Sequence, residues 1–515
     1  EMLSIMQRPE QDRTVAVTNA LRTIFLETSA TSMPEHRKII VDRLIALMEY
    51  ITFDKMNGFK SVIHNWVSTG KLDNNITECL FQYFTKKQDV TDYISLKALQ
   101  LLILIAPAKK TIVRKNLYLI SEVVFGKRGI DDMIVFSETC KLVTAGAAEH
   151  QQITDKKPPF KLKPTDSIWG HIINILYKHF ENSQIPHYNS AVSSAIGLIY
   201  TLCSKPEETC ETIINTISEK IGLQNGEEGQ RHIPCFILIR LCILLAEVAI
   251  GQLSFLDETV YKEIKRRLHV TLEKASTKSK TKRNVQDFSS ASWSRKNANT
   301  STFAVTAEDG DESVLEGAQA DDSEADFILN VLENKIVTSP TSLGAFAPVV
   351  ATICKNPDKY DDEYLQCVAV QCLLRYMLVS SKFCSSNIKL IFTILEKTKY
   401  FEVKCIIIIN LGDLLERFPN IIEPWSLYIY NRLNDTNLKV QKTTFYCIAK
   451  LLLRDMLRVK SHIAFMAVFI SETSNDLSDM SKNFFNALSV KDNHLYNVLP
   501  DIFSHIITVK DINED

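Results

Sequence analysis

Apolar residues recur with a helical period along most of this 515-residue chain. Three of the clearest stretches cover residues 95–106 (SLKALQLLILIA), 190–203 (SAVSSAIGLIYTLC) and 234–250, and each is followed by a turn and another amphipathic stretch. Apolar residues spaced three and four apart lie on one face of a helix, whereas a half-buried strand needs strict alternation, of which the sequence shows no clear case. The pattern therefore predicts an all-α fold.

The helical period breaks between residues 275 and 326, where the apolar content collapses. The first half of this segment is basic and rich in Ser and Thr, and the second half is acidic. Such a composition cannot bury enough apolar surface to offset the entropy of ordering, so we predict a largely disordered linker. It separates predicted helical repeats at 1–274 from a second set at 327–510. The Ser and Thr residues of the linker are either phosphorylation targets or part of a solvated tether.

Four stretches within this second set, residues 327–510, align without gaps. They start at Leu365, Val403, Val440 and Leu477, which are 38, 37 and 37 residues apart, and the last stretch matches more loosely. A period just under 40 residues with two helices per period is typical of HEAT repeats, in which each helix pair buries its apolar face against the next pair. The sequence therefore predicts a HEAT-repeat α-solenoid of stacked antiparallel helix pairs, interrupted by the one linker.

The stretch 410–425 (NLGDLLERFPNIIEPW) allows two interpretations. Asp413 is either a catalytic carboxylate beside a phosphate-cradling glycine, Gly412, or part of a joint between helices of the stack. No His, Ser or Cys lies within four residues of Asp413 to form a catalytic pair. A glycine lets a neighbouring helix approach closely, Pro419 ends a helix, and Pro424 suits the start of the next helix. The joint is the favoured interpretation.

Composition agrees with long helices and excludes several classes of protein. Only 15 Gly and 15 Pro occur, which is few for a sheet-rich fold. The net charge of −2 means that any DNA contact must use local patches. The 12 cysteines contain no C-x-x-C pair, which argues against zinc ribbons and for reduced core cysteines. The longest apolar run, residues 233–253, contains Arg240 and Glu247, so we predict a buried helix and no membrane span.

The motifs of the common catalytic classes are missing from the sequence. Nucleotide-binding glycine loops, the zinc-protease motif and the nucleophile elbow do not occur. His171 and His179 stand eight residues apart without further ligands at a recognised spacing, and the acidic residues at 321–326 lack the glycine of a calcium loop. We therefore expect no metal, no cofactor and no enzymatic activity.

Basic clusters are the remaining candidates for chemistry. They comprise Lys109, Lys110, Arg114 and Lys115; the Pro-broken segment 156–164 (KKPPFKLKP); Lys262, Lys265, Arg266 and Arg267; and Arg454, Arg458 and Lys460. Each cluster is either solvated surface charge or, if several share one face of the solenoid, part of a groove that follows DNA phosphates. The sequence leaves that choice open.

Several short motifs resemble condensin complex subunit 1, the large non-SMC HEAT-repeat subunit of condensin. They are residues 410–414 (NLGDL), 417–420 (RFPN), 423–425 (EPW), 430–435 (Y-x-R-L-x-D), 440–443 (V-x-K-T), 455–460 (D-M-x-x-V-K), 483–488 (N-F-F-N-x-L) and 495–502 (L-Y-N-x-L-P-D-I). The acidic element at 317–325 fits the same family, and the resemblance spans residues 315–507. Departures such as Ser426, where Thr is expected, indicate a divergent member. Family members are longer, so we expect this chain to be a fragment.

The resemblance implies a non-catalytic scaffold that binds the kleisin subunit and the SMC ATPase subunits of condensin. It also implies contact with double-stranded DNA, without sequence specificity, during mitotic chromosome condensation. The ATP chemistry would belong to the SMC partners. The implied location is the nucleus and chromosomes, and the cytoplasm for part of the cell cycle. The alternatives are the HEAT-repeat subunit of condensin II, a cohesin regulator, or an importin- or adaptor-type transport solenoid.

Two sets of residues follow from these expectations. The candidate DNA-binding residues are Lys442, Arg454, Arg458, Lys460, Lys109, Lys110, Arg114 and Lys115. Lys442 has an alternative role, an ion pair with Asp435 within its repeat. The family-motif residues with expected structural roles are Gly412, Asp413, Pro419, Glu423, Pro424, Trp425, Asp435 and Pro500.

Overall fold

The computed structural model divides into two compact units. The first comprises residues within 1–228 and 266–270, and the second comprises residues within 229–265 and 271–515. The described residues are 11–27, 32–52, 55–87, 89–147, 154–222, 233–267, 269–270, 325–338, 340–456, 463–471, 475–491, 495–496, 499–500, 502–504 and 507. Residues 275–324, which make up almost all of the predicted linker and of the acidic element, lie outside them.

The first unit is built from helices joined by short turns. Its long helices are α1 (Gln11–Leu26), α2 (Met33–Leu47), α3 (Met56–Ser68), α4 (Asn74–Phe84), α5 (Asp92–Ile105), α6 (Met133–Ala147), α7 (Ser167–His179), α8 (Tyr188–Leu202) and α9 (Pro206–Ile221). Shorter pieces between α5 and α6 are Lys110–Lys115, Leu117–Ile120, the π-helical Ser121–Arg128 and Gly129–Asp131. Polar caps define several starts; the Asp73 carboxylate, for example, accepts the Ile76 N–H of α4 at 2.8 Å.

The helices of the first unit stack in two layers. In one layer α5 packs against α6, and α6 packs against α8. In the other, the π-helical segment Ser121–Arg128 packs against α7, and α7 packs against α9. The buried Tyr188 donates its hydroxyl proton to the Leu176 carbonyl at 2.8 Å, so the polar tip of this core side chain is satisfied.

The second unit contains the remaining long helices. They are α10 (Cys235–Ser254), α11 (Ser342–Lys355), α12 (Glu363–Val379), α13 (Ser381–Lys397), α14 (Phe401–Arg417), α15 (Leu438–Leu453) and α16 (Asn475–Ser489). Two π-helical segments, Phe255–Val260 and Leu332–Ile336, follow α10 and precede α11. Short helices connect α14 to α16: Pro419–Ile422, Glu423–Trp425, Ser426–Tyr430, Asn431–Asn434, Ala464–Val468 and Phe469–Ser471.

The predicted repeats correspond to helix pairs of the second unit. The four aligned stretches fall within α12, α14, α15 and α16, and these helices pack against one another in that order. Helix α13 and the short helices of 419–434 and 464–471 form the second layer beside them. The first residues of the four stretches are at most 1% exposed: Leu365, Val403, Val440 and Leu477. The HEAT-repeat α-solenoid predicted from the sequence is therefore confirmed as the fold class.

The looser sequence match of the last repeat is compatible with the same burial. Four equivalent side chains, one turn into each aligned stretch, are fully buried: Ala369, Ile407, Thr444 and Ser481. Thr444 donates its hydroxyl proton to the Val440 carbonyl at 2.7 Å, and Ser481 donates to the Met466 carbonyl at 2.9 Å. A small hydroxyl side chain can replace an apolar one here because a nearby carbonyl satisfies it.

Helix α10 precedes the predicted linker but belongs to the second unit, where it packs against α12. Ion pairs join Glu247 to Arg375 at 2.8 Å and Asp257 to Arg417 at 2.7 Å. The helical stretch Cys235–Arg267 is long and apolar enough to cross a membrane, yet 61% of its apolar window is buried within the protein. This burial agrees with the predicted core helix. The boundaries 1–274, 275–326 and 327–510 stay a prediction, since the two compact units divide the chain before α10 instead.

Gly412 marks a close approach between α14 and α15. A Cβ atom at this position would lie 2.8 Å from the Cys447 sulfur, nearer than packed atoms come. The Cys447 thiol fills the space and donates to the Ile408 carbonyl at 3.5 Å. Only glycine leaves room for this sulfur, so Gly412 sets the spacing of two successive repeats.

Residues 1–270 and 325–515, produced together as two chains, are expected to copurify because α10 and α12 bury apolar surface against each other. Leu245→Glu, at a side chain with 0% exposure, is expected to abolish copurification, since it buries an unpaired carboxylate. Glu247→Gln alters only a part-exposed ion pair and should retain it. Affinity capture of one chain followed by detection of the other measures copurification for both variants. If the Leu245→Glu chain still captured residues 325–515, the result would contradict the packing of α10 against α12.

Gly412→Ala is expected to lower the free energy of unfolding by about 1–3 kcal/mol, because the new methyl group overlaps the Cys447 sulfur. Cys447→Ala removes that sulfur. The double variant should therefore be more stable than the two single effects predict, with a coupling of about 0.5–3 kcal/mol. Urea unfolding followed by circular dichroism measures all four proteins. Additive effects would show that the two side chains do not meet.

Candidate nucleic-acid interface

A basic loop at residues 154–166 connects α6 to α7 in the first unit. The pair Pro158–Pro159 keeps it out of a helix, because proline lacks the amide proton that a helix needs. Asp166 then starts α7 by accepting the Ile168 N–H at 3.2 Å. The Trp169 indole donates to the Lys163 carbonyl at 2.9 Å, so the first turn of the helix also holds the end of the loop.

The end of α8 and the residues that follow it hold the middle of the loop. The Leu162 N–H donates to the Leu202 carbonyl at 2.8 Å, and the Ser204 N–H donates to the Leu162 carbonyl at 2.9 Å. The neighbouring Lys161 donates its ammonium to the Thr201 carbonyl at 2.5 Å. Because its ammonium is held by this carbonyl, Lys161 is a structural anchor, and burial also lowers its pKa.

Residues from two other basic clusters hold the first part of the loop. The Arg266 side chain is buried and donates to the carbonyls of Asp155 and Lys156 at 3.2 and 3.4 Å. The Arg114 guanidinium lies 5.1 Å from the centre of the Phe160 ring. Segments that are far apart in sequence, at 109–115, 156–163 and the end of 262–267, therefore meet at this loop. The sequence predicted each cluster but not their convergence.

Several ammonium groups around the loop remain unpaired. The side chains of Lys115, Lys156, Lys157 and Lys163 are exposed, and that of Lys110 is half-buried. None of the five forms an ion pair within the part of the chain that the structure describes. Exposed, unpaired lysines on an ordered main chain are suited to bind phosphate oxygens. Such binding requires positive charge and no base-specific geometry.

Of the candidates in the 109–115 cluster, two have structural contacts. Lys109 donates its ammonium to the Leu72 carbonyl at 2.7 Å, and burial lowers its pKa. Arg114 is held against Phe160. Lys110 and Lys115 are therefore the members of this cluster that remain suited to an anionic partner.

The candidates in the second unit are placed differently. Lys442 pairs with Asp476 at 2.5 Å rather than with Asp435, and the ammonium lowers the pKa of that exposed carboxyl. The Arg454 guanidinium lies 3.9 Å from the Glu416 carboxylate of the neighbouring repeat. Arg458 and Lys460 lie outside the described residues. Thus each of the two described candidates has an acidic neighbour, and their role in DNA binding stays a prediction.

The motif residues after α14 form an inter-repeat contact. Helix α14 ends at Arg417, and Pro419 occupies the first position of the next short helix, Pro419–Ile422. Glu423 and Pro424 open the 3₁₀ turn Glu423–Trp425. The Trp425 ring stacks on Phe392 of α13, with centroids 4.9 Å apart and planes 9° apart. Pro500 is exposed and helical, as is its neighbour Leu499, near the end of the described residues.

Asp413 borders a groove between α14 and α15. The groove measures about 450 Å³ and is also lined by Gly412, Cys447, Tyr446 and residues of the adjoining helix turns. Partial loss of hydration raises the pKa of the Asp413 carboxyl, with Lys450 acting against the shift and Glu416 adding to it. Burial raises the pKa of the Cys447 thiol to about 11, so it is protonated at neutral pH and supplies no nucleophile.

Asp435 is an inter-repeat anchor. Its carboxylate is 4% exposed and pairs with Lys404 of α14 at 2.8 Å and with Arg432 at 3.8 Å. It also accepts the Asn437 N–H at 3.1 Å. Burial alone would raise the pKa of Asp435, but the Lys404 and Asn437 hydrogen bonds and the Arg432 charge outweigh it, so the pKa is lowered.

Within the described residues, no three His, Cys, Asp or Glu side chains are grouped as metal ligands. The fold and the 154–166 loop define a helical-repeat protein with an ordered basic surface. Residues 402–515 match the family model of the non-SMC mitotic condensation complex subunit 1. The chain belongs to the condensin complex subunit 1 family, because condensin complex subunit 1 of Xenopus laevis is 31% identical to it over 98% of its length.

Curated relatives cover nearly the whole chain. Condensin complex subunit 1 of Xenopus laevis is 31% identical over 508 residues, which are 98% of this chain and 36% of that protein. The Homo sapiens subunit is 28% identical over 515 residues, again 98% of this chain and 36% of that protein. The chain thus spans little more than a third of the length of these relatives.

Solved structures that match the chain include a condensin subcomplex and a transport receptor. The Schizosaccharomyces pombe condensin Cnd3–Cnd2 subcomplex gives a TM-score of 0.40 at 12% identity, covering 94% of this chain and 62% of that one. Importin beta, crystallised in ammonium sulfate, gives 0.39 at 12% identity, covering 97% of this chain and 61% of that one.

Asp435→Asn is expected to destabilise the protein by about 3–5 kcal/mol at neutral pH, because Lys404 then keeps a part-buried charge without its partner. A lowered folded-state pKa stabilises the fold above the ordinary carboxyl pKa, and the contribution disappears as pH falls through the lowered value. The difference between the wild type and Asp435→Asn should therefore shrink at acid pH. Urea unfolding at pH 7 and in the acid range tests this; an equal difference at both would contradict the ion pair.

Proposed function

We propose that this chain is part of a non-catalytic condensin scaffold that binds kleisin, contacts the SMC ATPase subunits and holds double-stranded DNA without sequence specificity. Membership of the condensin complex subunit 1 family supports the assignment to condensin. The observation that supports DNA contact is the convergence of basic segments on the 154–166 loop. Mitotic chromosome condensation is the process in which such a scaffold would act.

Phosphate contact by this loop would be electrostatic. Each lysine that neutralises a phosphate releases a condensed counterion, so affinity falls steeply as salt rises. Lysine presents a compact charge on a flexible stem and reads no base edge. Binding of this kind serves a protein that must grip any region of a chromosome.

The stacked repeats support the scaffold role. A solenoid presents long surfaces formed by successive helices, and an extended segment of kleisin could lie along them. The sequence carries no nucleotide-binding motif, so ATP hydrolysis would be supplied by the SMC subunits. By the same reasoning from the family, the chain would act in the nucleus and on chromosomes, and reside in the cytoplasm for part of the cell cycle.

The test is copurification of this chain with the condensin kleisin, followed by salt titration of the complex on duplexes of random sequence. We expect a stable complex whose DNA affinity falls steeply with salt and does not depend on sequence. A folded, helical chain that captures no kleisin would contradict the scaffold role of this segment. Repeating the capture with the longer native protein then shows whether the kleisin contact lies elsewhere in the subunit.

A further inference from the structure

The 154–166 loop is held along its main chain while three of its four lysines point into solvent. Hydrogen bonds fix residues 161 to 163 against the end of α8 and the start of α7. Arg266 fixes the carbonyls of Asp155 and Lys156 at the other end. Lys156, Lys157 and Lys163 are exposed, so only their side chains retain freedom. A main chain ordered before binding lowers the entropy lost on contact with a ligand.

Arg266 is placed to organise this loop without contacting a ligand. Its side chain is 6% exposed, and its guanidinium donates to two successive loop carbonyls. A lysine at this position would keep the charge, but a single ammonium lacks the planar fork that reaches both acceptors. The next residue, Arg267, is exposed and offers a natural comparison.

The surface favours a duplex over a single strand. Single-stranded nucleic acid binds where exposed aromatic rings stack on its bases. The one aromatic side chain of the loop, Phe160, is only partly exposed and carries the Arg114 guanidinium over its ring. The exposed groups are ammonium ions, which recognise the phosphodiester backbone and no base.

We propose that the 154–166 loop is a binding surface for the phosphodiester backbone of duplex DNA, with Lys156, Lys157 and Lys163 as phosphate ligands and Arg266 as a positioning residue. The proposal rests on the proposed function, because it assigns one surface to the DNA contact that this function requires. It adds ligands and a positioning residue to the eight candidate DNA-binding residues; they come from the basic clusters at 156–164 and 262–267, which the sequence indicated without choosing among them.

The phosphate ligands are tested with Lys156→Gln/Lys157→Gln, against Lys60→Gln/Lys71→Gln, which removes two exposed lysines elsewhere in the first unit. Salt titrations on a random duplex should show about tenfold weaker binding for the loop variant, and a log–log salt slope smaller by about 2. The control should keep the wild-type slope. Equal behaviour of the two variants would overturn the assignment of the loop.

The positioning role is tested with Arg266→Lys against Arg267→Lys, which make the same chemical change at a buried and an exposed position. Arg266→Lys should weaken duplex binding several-fold and reduce the salt slope, although no charge is lost, while Arg267→Lys should not. Kleisin capture should stay unchanged in both. Wild-type affinity of Arg266→Lys would overturn the positioning role.

Two further arms separate the possible failures. Polyglutamate of matched charge should compete weakly with the duplex; competition as strong as that of the duplex would assign the loop to an acidic protein and overturn the proposal. A wild-type complex that captures kleisin but binds no duplex would contradict the proposed DNA function itself. A complex that binds the duplex with wild-type affinity after the loop lysines are replaced would contradict only the assignment to this loop.

Discussion

The second unit depends on the burial of one face of each repeat helix against the helix of the next repeat. Val403 and Val440 begin that face in α14 and α15, and both are almost fully buried. An isolated helix of this length cannot bury such an apolar face. Each repeat is therefore stable only when it packs against its neighbours in the stack. Gly412 shows how tight the contact is, because the Cys447 sulfur of the next repeat occupies the space of a Cβ atom.

Close stacking also determines the fate of charged side chains. Successive repeats bring equivalent ends of their helices together, so cations there meet acids about one repeat away in sequence. Lys404 with Asp435 and Lys442 with Asp476 pair near helix starts, and Lys491 with Asp455 pairs just after two helix ends. A cation in a repeat interface is therefore a poor candidate for a phosphate ligand, even where the sequence shows a cluster.

The 154–166 loop of the first unit is not part of a repeat interface of this kind. It is a connection between two helices, and main-chain hydrogen bonds and two arginines hold it in place. Its exposed lysines have no acidic partner within the described residues, in contrast to Lys442. The same chain thus contains basic residues that stabilise the stack and basic residues that remain suited to an outside partner.

The sequence by itself determined the helical fold, the repeat period and the family, because apolar spacing and local motifs such as 423–425 depend on neighbours in the chain. It also indicated Gly412 as a close contact. Only the tertiary structure decided which lysines are available: Lys109 is bound to a distant carbonyl, and Lys442 pairs with Asp476, 34 residues away. Electrostatic pairing acts through space, so the convergence of Arg114 and Arg266 on one loop has no signature in sequence spacing.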